Sequence, residues 1–180
     1  MSDAELHSLL KSLAGLDARA REEARQALRE RAQDAVPQLA QALKDDDWQV
    51  RQQAAVALGW LGPQAKAVVG ALVDALKEED KYLRGQAAAS LGQIGPDARD
   101  AVPALTEALK DSEEDVRRET AAALGRIGPV ARATVSELVA VLKKDRRSVR
   151  KAAARALKKI DPEAATQHIG FWDRVRLWFG

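Results

Sequence analysis

Four copies of one phrase, each 33 residues after the last, constrain this chain more than anything else in it: Val50-Arg51, Leu83-Arg84, Val116-Arg117 and Val149-Arg150. Seven residues after each arginine stands a leucine (Leu58, Leu91, Leu124, Leu157). Three further on comes an aliphatic residue (Leu61, Ile94, Ile127, Ile160), and two beyond that a proline (Pro63, Pro96, Pro129, Pro162). Upstream, Val36, Val69, Val102 and Val135 keep the same period, as do Leu39, Leu72, Leu105 and Leu138. Leu43, Leu76, Leu109 and Leu142 follow suit. A fixed period of about 20–50 residues marks a stacked repeat array.

Each unit divides into two helical patterns. Val36, Leu39, Ala42 and Leu43 form one apolar stripe of a first, or A, helix. Pro37 and Pro103 suit its first turn, where a missing N–H leaves no bond unmade. An acidic turn, Asp45-Asp46-Asp47, then places carboxylates at the positive end of the next helix. That second, or B, helix carries Val50, Ala54, Ala57, Leu58 and Leu61 on one face, and Gly62-Pro63, Gly95-Pro96 and Gly128-Pro129 stop it and its counterparts. Neither helix can bury its stripe without neighbours, so the expected fold is all-α, a stack of helix–turn–helix units.

The expected boundaries are one solenoid domain over 1–180. It comprises a degenerate N-terminal unit at 1–34, repeats at 35–66, 67–99, 100–132 and 133–164, and a half-unit at 165–180. Leu6, Leu9 and Leu13 match Val36, Leu39 and Leu43 at a separation of 30, three residues short of the period. At the far end His168, Phe171 and Val175 fall where Val135, Leu138 and Leu142 stood.

Aromatics are only 4% of the chain, and alanine fills the apolar positions, as suits closely stacked helices. With no cysteine, disulfides, thiolate catalysis and cysteine metal sites are excluded, and a reducing cytoplasmic setting is the expectation. The polar, acidic opening residues do not read as a secretory signal. No uninterrupted apolar run approaches the ~20 residues that cross a bilayer. Charge is unevenly placed. Residues 143–159 carry nine basic side chains and one acid, a local +8 in a chain whose net charge is +2, so the rest sums to −6.

The stretch Asp115-Val116-Arg117-Arg118-Glu119-Thr120-Ala121-Ala122-Ala123-Leu124-Gly125-Arg126-Ile127-Gly128-Pro129 and its counterparts resemble HEAT repeats of the short, phycobilin-lyase-like subtype. The resemblance is strong over 35–164 and weak at both ends. It implies a right-handed α-solenoid with B helices on the concave face, working as a protein-binding scaffold without cofactor. The family's recurrent arginine falls on Arg51, Arg84, Arg117 and Arg150. It implies a structural ladder to acids of the A–B turns, for which Asp47, Asp80 and Glu113 are the candidates; the fifth unit has Arg146 there.

Catalysis finds little footing. The two histidines, His7 and His168, lie at opposite ends of the chain, and the His-Glu metal motifs of resembling HEAT hydroxylases are absent. A bilin-lyase-like subunit remains an alternative that the resemblance itself raises.

At about 100° per residue, the B-helix positions opposite the core stripe define the expected concave face. They are Trp48, Gln52, Val56 and Gly59 with Trp60 on the flank, then Lys81, Gly85, Ala89 and Gly92, then Glu114, Arg118, Ala122 and Gly125. In the fifth unit all four are basic: Arg147, Lys151, Arg155 and Lys158. The face thus runs from aromatic through a small-residue floor to cationic, and tryptophan and arginine are the types enriched at binding hot spots. An acidic or amphipathic protein partner is the expectation; nucleic acid, held by phosphates, is the alternative for the cationic end. The tail side chains Phe171, Trp172, Val175, Trp178 and Phe179 read as a cap on the stack, with self-association or a membrane surface as the other uses of such a face.

Overall fold

The computed structural model describes residues 2–15 and 17–179, with the side chains of all of these except Asp3, Ala14 and 171–179. Eleven α-helices follow one another among the described residues. The N-terminal unit is α1 (Asp3–Ala14) and α2 (Ala18–Glu30). The A helices are α3 (Ala32–Ala42), α5 (Val69–Ala75), α7 (Val102–Ala108) and α9 (Val135–Lys144). The B helices are α4 (Trp48–Leu61), α6 (Lys81–Ile94), α8 (Glu114–Ile127) and α10 (Arg147–Ile160), each of 14 residues, and α11 (Pro162–Phe179) closes the order. The expected all-α solenoid is what forms: successive B helices pack on one another along the stack, and each A helix packs on the B helix of its own unit.

The B helices are set by their ends. Asp47 and Asp80 accept the backbone N–H groups of Gln49 and Tyr82, each at 2.8 Å, which caps α4 and α6. Gly62, Gly95 and Gly128 end α4, α6 and α8 at φ of 54°, 74° and 82°, where a side chain would be strained. The Gly-Pro pairs do more than stop a helix, however. Each leads directly into a seven-residue 3-10 segment (Gly62–Val68, Gly95–Ala101, Gly128–Thr134), so units are joined by tight helix and not by open loop.

Pro37 departs from expectation. Only Arg31 separates α2 from α3, so α3 begins at Ala32 and Pro37 lies inside it. The three residues missing from this junction are the cause: the chain turns early and has no room for a 3-10 segment. By composition an 18-residue window within 48–75 is apolar enough to cross a membrane, with a mean hydropathy of 1.4, but Gly62-Pro63 breaks the stretch into α4, a 3-10 segment and α5. Its apolar side chains, Leu58, Leu61 and Leu72 among them, join the core of the stack.

The core is one continuous cluster, and its periodic leucines, Leu39, Leu58, Leu72, Leu91, Leu105, Leu124, Leu138 and Leu157, are all fully buried. Glycine and alanine bring the B helices together. A Cβ at Gly92 would stand 2.7 Å from the Cα of Ala123, and one at Gly125 would stand 2.8 Å from the Cα of Ala156. These two glycines, with the buried Gly59, therefore belong to helix–helix contacts.

Two ionic rungs cross the unit boundaries. Arg84 donates through Nε and Nη2 to Asp111 at 2.7 and 3.0 Å, while its Nη1 holds the carbonyls of Glu78 and Glu79. Arg117 repeats the arrangement with Asp145, at 2.7 and 2.8 Å, and with the carbonyls of Asp111 and Ser112. All four ionic side chains are largely buried. The acids are thus Asp111 and Asp145, and the expected Asp47, Asp80 and Glu113 are not the rungs. Those three sit at B-helix N-caps: Asp47 and Asp80 are held there by backbone N–H groups, and Glu113 pairs with Lys81 at 3.3 Å.

The outer arginines differ. Among the described residues Arg51 hydrogen-bonds only carbonyls, those of Asp45 and Asp46. Its boundary is bridged by the neighbouring amide, Gln52 Nε2 to Asp80 at 2.9 Å. Arg150 has a buried Nε with no hydrogen-bond partner among the described residues. In its unit α9 runs on to Lys144, which shortens the turn whose carbonyls hold the other arginines, and 27 and 28 residues beyond it stand Leu177 and Trp178, not acids.

At the other end α2 covers α4. The Arg25 guanidinium lies over the Trp60 ring at 3.9 Å, and Trp60 is half-buried against the core. Trp60 is therefore a structural residue of the first unit boundary, a correction to its reading as a binding anchor.

Three measurements test this account. Gly92→Ala should cost about 1–3 kcal/mol through overlap with the Ala123 backbone. Gly85→Ala in the same helix, where a Cβ meets open space, should stabilise by about 0.5–1 kcal/mol. Equal effects in urea melts would refute the close approach. Trp60→Ala should cost about 3 kcal/mol, and a double-mutant cycle with Arg25→Ala should reveal coupling between the two. Acid is the third probe. Arg117's hydrogen bond, assisted by the Arg146 N–H, holds the Asp145 carboxyl below the usual range against its burial. Burial, the largest single influence on Asp111, would raise it, but the Arg84 hydrogen bond and charge, the Glu113 N–H and the Arg117 charge together outweigh burial and lower that carboxyl too. A lowered carboxyl contributes stability that is complete above its unfolded value of about 3.9. That stability is lost as pH falls through the folded value. Stability should stay level from neutrality to about pH 5 and fall below about pH 4, and Asp111→Asn should make that fall shallower.

Candidate functional site

Lys151, Arg155 and Lys159 recur every fourth residue on α10, so they form one line with a rise of about 6 Å per step. They face α8 across a groove of about 450 Å³. Its floor is built from Ala122 and Gly125 of α8 and Ala152 and Ala156 of α10, small because the two helices touch there. Arg118 and Arg126 line the α8 wall, so five cations share the groove with one carboxylate, Glu119.

The charges on the two walls are not equivalent. Arg118 reaches Asp115 at 2.5 Å and Glu119 at 3.1 Å, and Glu119's hydrogen bond is the largest cause that raises its already high pKa. Lys151, Arg155 and Lys159 are exposed and make no ion pair among the described residues, so their field is open to a ligand. Ser148 lies at the mouth in the first turn of α10, its Oγ in hydrogen-bond contact with Glu114.

Sequence spacing placed Arg118, Lys151 and Arg155 together, and the structure brings them to one groove. Arg147 and Lys158 are exposed but do not line it. Arg126 and Lys159 were missed, because counting at 100° landed on Gly125 and Lys158, one residue short. A signal was available: Trp60, Gln93, Arg126 and Lys159 share one repeat position, and that position faces the preceding unit, with Trp60 under Arg25, Gln93 beside Gly59 and Arg126 beside Gly92.

The aromatic end is a different place. Trp48 is 54% exposed in the first turn of α4, Gln52 is engaged with Asp80, and Val56 is half-buried. Among the described residues no aromatic side chain lines the cationic groove. The expected gradient thus separates into an exposed tryptophan and a groove without aromatics, several units apart. The tail side chains Phe171, Trp172, Val175, Trp178 and Phe179 lie outside the described residues. In the described part of α11, which starts at Pro162 directly after α10, Ala165 is buried and Ile169 packs on the core. His168 is half-exposed there, while His7 is exposed on α1. No cluster of His, Asp and Glu able to hold a metal occurs among the described residues.

The HEAT-repeat family profile matches residues 6–78 and 69–158. No curated protein sequence matches the chain. Among solved structures, an engineered protein is 26% identical with a TM-score of 0.63, over 89% of this chain and 80% of that one. The complex of CpcE and CpcF of phycocyanin lyase from Nostoc sp. PCC7120 is similar at 27% identity and a TM-score of 0.66, over 87% of this chain and 65% of that one. A designed armadillo repeat protein solved with the peptide (KR)4 shares the fold at 18% identity, with a TM-score of 0.62 over 86% of this chain and 81% of its own. With nearly the whole periodic region covered by the profile, the chain belongs to the HEAT-repeat family.

Proposed function

We propose that this solenoid is a non-catalytic interaction scaffold that takes an acidic protein partner in the groove between α8 and α10. One observation carries the reading: among the described residues, three unpaired cations stand in line above a floor of alanine and glycine, with a single carboxylate in the walls. Unpaired surface cations give little to stability, so their alignment is better explained by a ligand. Complementary charge steers encounter and selects partners. Repeat solenoids offer elongated surfaces of this kind, and the similar phycocyanin lyase structure is itself a complex of two chains, CpcE and CpcF. That likeness also supports a second reading, a subunit of a lyase-like assembly in which the groove would hold the other subunit. Nucleic acid is the less favoured occupant, since sequence-independent binding of single strands relies on aromatic stacking, and no ring lines the groove among the described residues.

The test uses poly-L-glutamate as the probe and a Lys151→Gln, Arg155→Gln, Lys159→Gln variant. Affinity at physiological salt should fall about tenfold or more, while the melting temperature shifts by less than about 2 °C. Undiminished binding by the variant would refute the groove as the site.

A further inference from the structure

We infer that the partner presents its acidic side chains from an α-helix lying along the groove, with carboxylates four residues apart; this rests on the groove being the partner site. The walls are two α-helices whose central backbone groups bond within their own helices, so they offer an incoming chain no free backbone edge. Apart from Glu119 and Ser148, the polar side chains that line the groove are Arg and Lys, which donate and cannot accept. An extended peptide would bring a row of N–H donors with almost nothing to receive them, and buried unmade hydrogen bonds are costly. A helix satisfies those donors internally and exposes only side chains.

The spacing and the floor agree with this. Carboxylates at i, i+4 and i+8 of a partner helix rise by about 6 Å per step, the rise of Lys151, Arg155 and Lys159. Ala122, Gly125, Ala152 and Ala156 leave a shallow trough in which the ridge of a third helix can settle as it would between neighbours in a bundle. Charge decides the partner's face, and the missing acceptors decide its conformation.

The experiment compares four fluorescent probes by anisotropy against the full chain and its Lys151→Gln, Arg155→Gln, Lys159→Gln variant. The first is an alanine-based peptide held helical by a side-chain staple, with glutamates at i, i+4 and i+8. The second has the same composition and staple, with glutamates distributed around the helix. The third carries the first spacing and a central proline. The last is an oligothymidylate of equal charge. The first should bind about tenfold tighter than the other three and lose that advantage on the variant. If the proline peptide binds as well as the first, the helical inference is overturned while the groove stands. If the dispersed peptide does, the register is overturned and the groove again stands. Tightest binding by the oligonucleotide would overturn both the inference and the protein-partner reading. Identical binding of every probe to full chain and variant would overturn the groove itself.

Discussion

Backbone-close contact between successive B helices is the constraint from which the rest of the molecule follows. At Gly92 and Gly125 the helices meet without room for a side chain, and alanines receive them on the other side. Such proximity fixes the offset between units, and that offset carries Arg84 and Arg117 to the A–B turn of the next unit. It also keeps the groove floor low, because residues small enough to let α8 and α10 touch cannot rise above the contact. The same choice of small side chains therefore supports packing beneath and leaves a trough above.

Apolar and polar contacts divide the labour. Leucines at the repeated positions exclude water from a continuous core, the term that drives folding. That term is non-directional and would tolerate slippage between similar units. The bidentate Arg84–Asp111 and Arg117–Asp145 pairs supply direction, since a planar guanidinium meets a carboxylate in a fixed fork. The first unit boundary has neither fork and relies instead on packing, with Arg25 laid across Trp60.

The period made the fold legible because every unit obeys the same helical stripe, and eight equivalent leucines cannot all be accidental. The ladder was legible only in its arginines. Their acids lie 27 and 28 residues away, across a boundary, whereas the nearest acids in sequence, Asp47 and Asp80, are drawn to helix caps by local N–H groups. Pro37 was misplaced because a three-residue deletion changed the geometry of one junction alone. At the groove, charge pattern revealed one wall. The second wall needed the neighbouring unit's register, which no single-helix projection contains, and Trp60 was misread for the same reason: its contact, Arg25, comes from another unit.

Rungs that point forward join the chain out of phase with its own repeats. The Arg84 and Arg117 spans each cross a unit boundary, so a tandem copy of one whole 33-residue unit leaves both arginines with an acid 27 or 28 residues ahead. A shorter insertion inside a span does the opposite, separating a fork from its carboxylate and turning a helical stripe away from the core in one event. Length in whole units is thus the one dimension along which such a gene can drift without cost, and the cationic groove, made by only two adjacent B helices, would travel intact through each change.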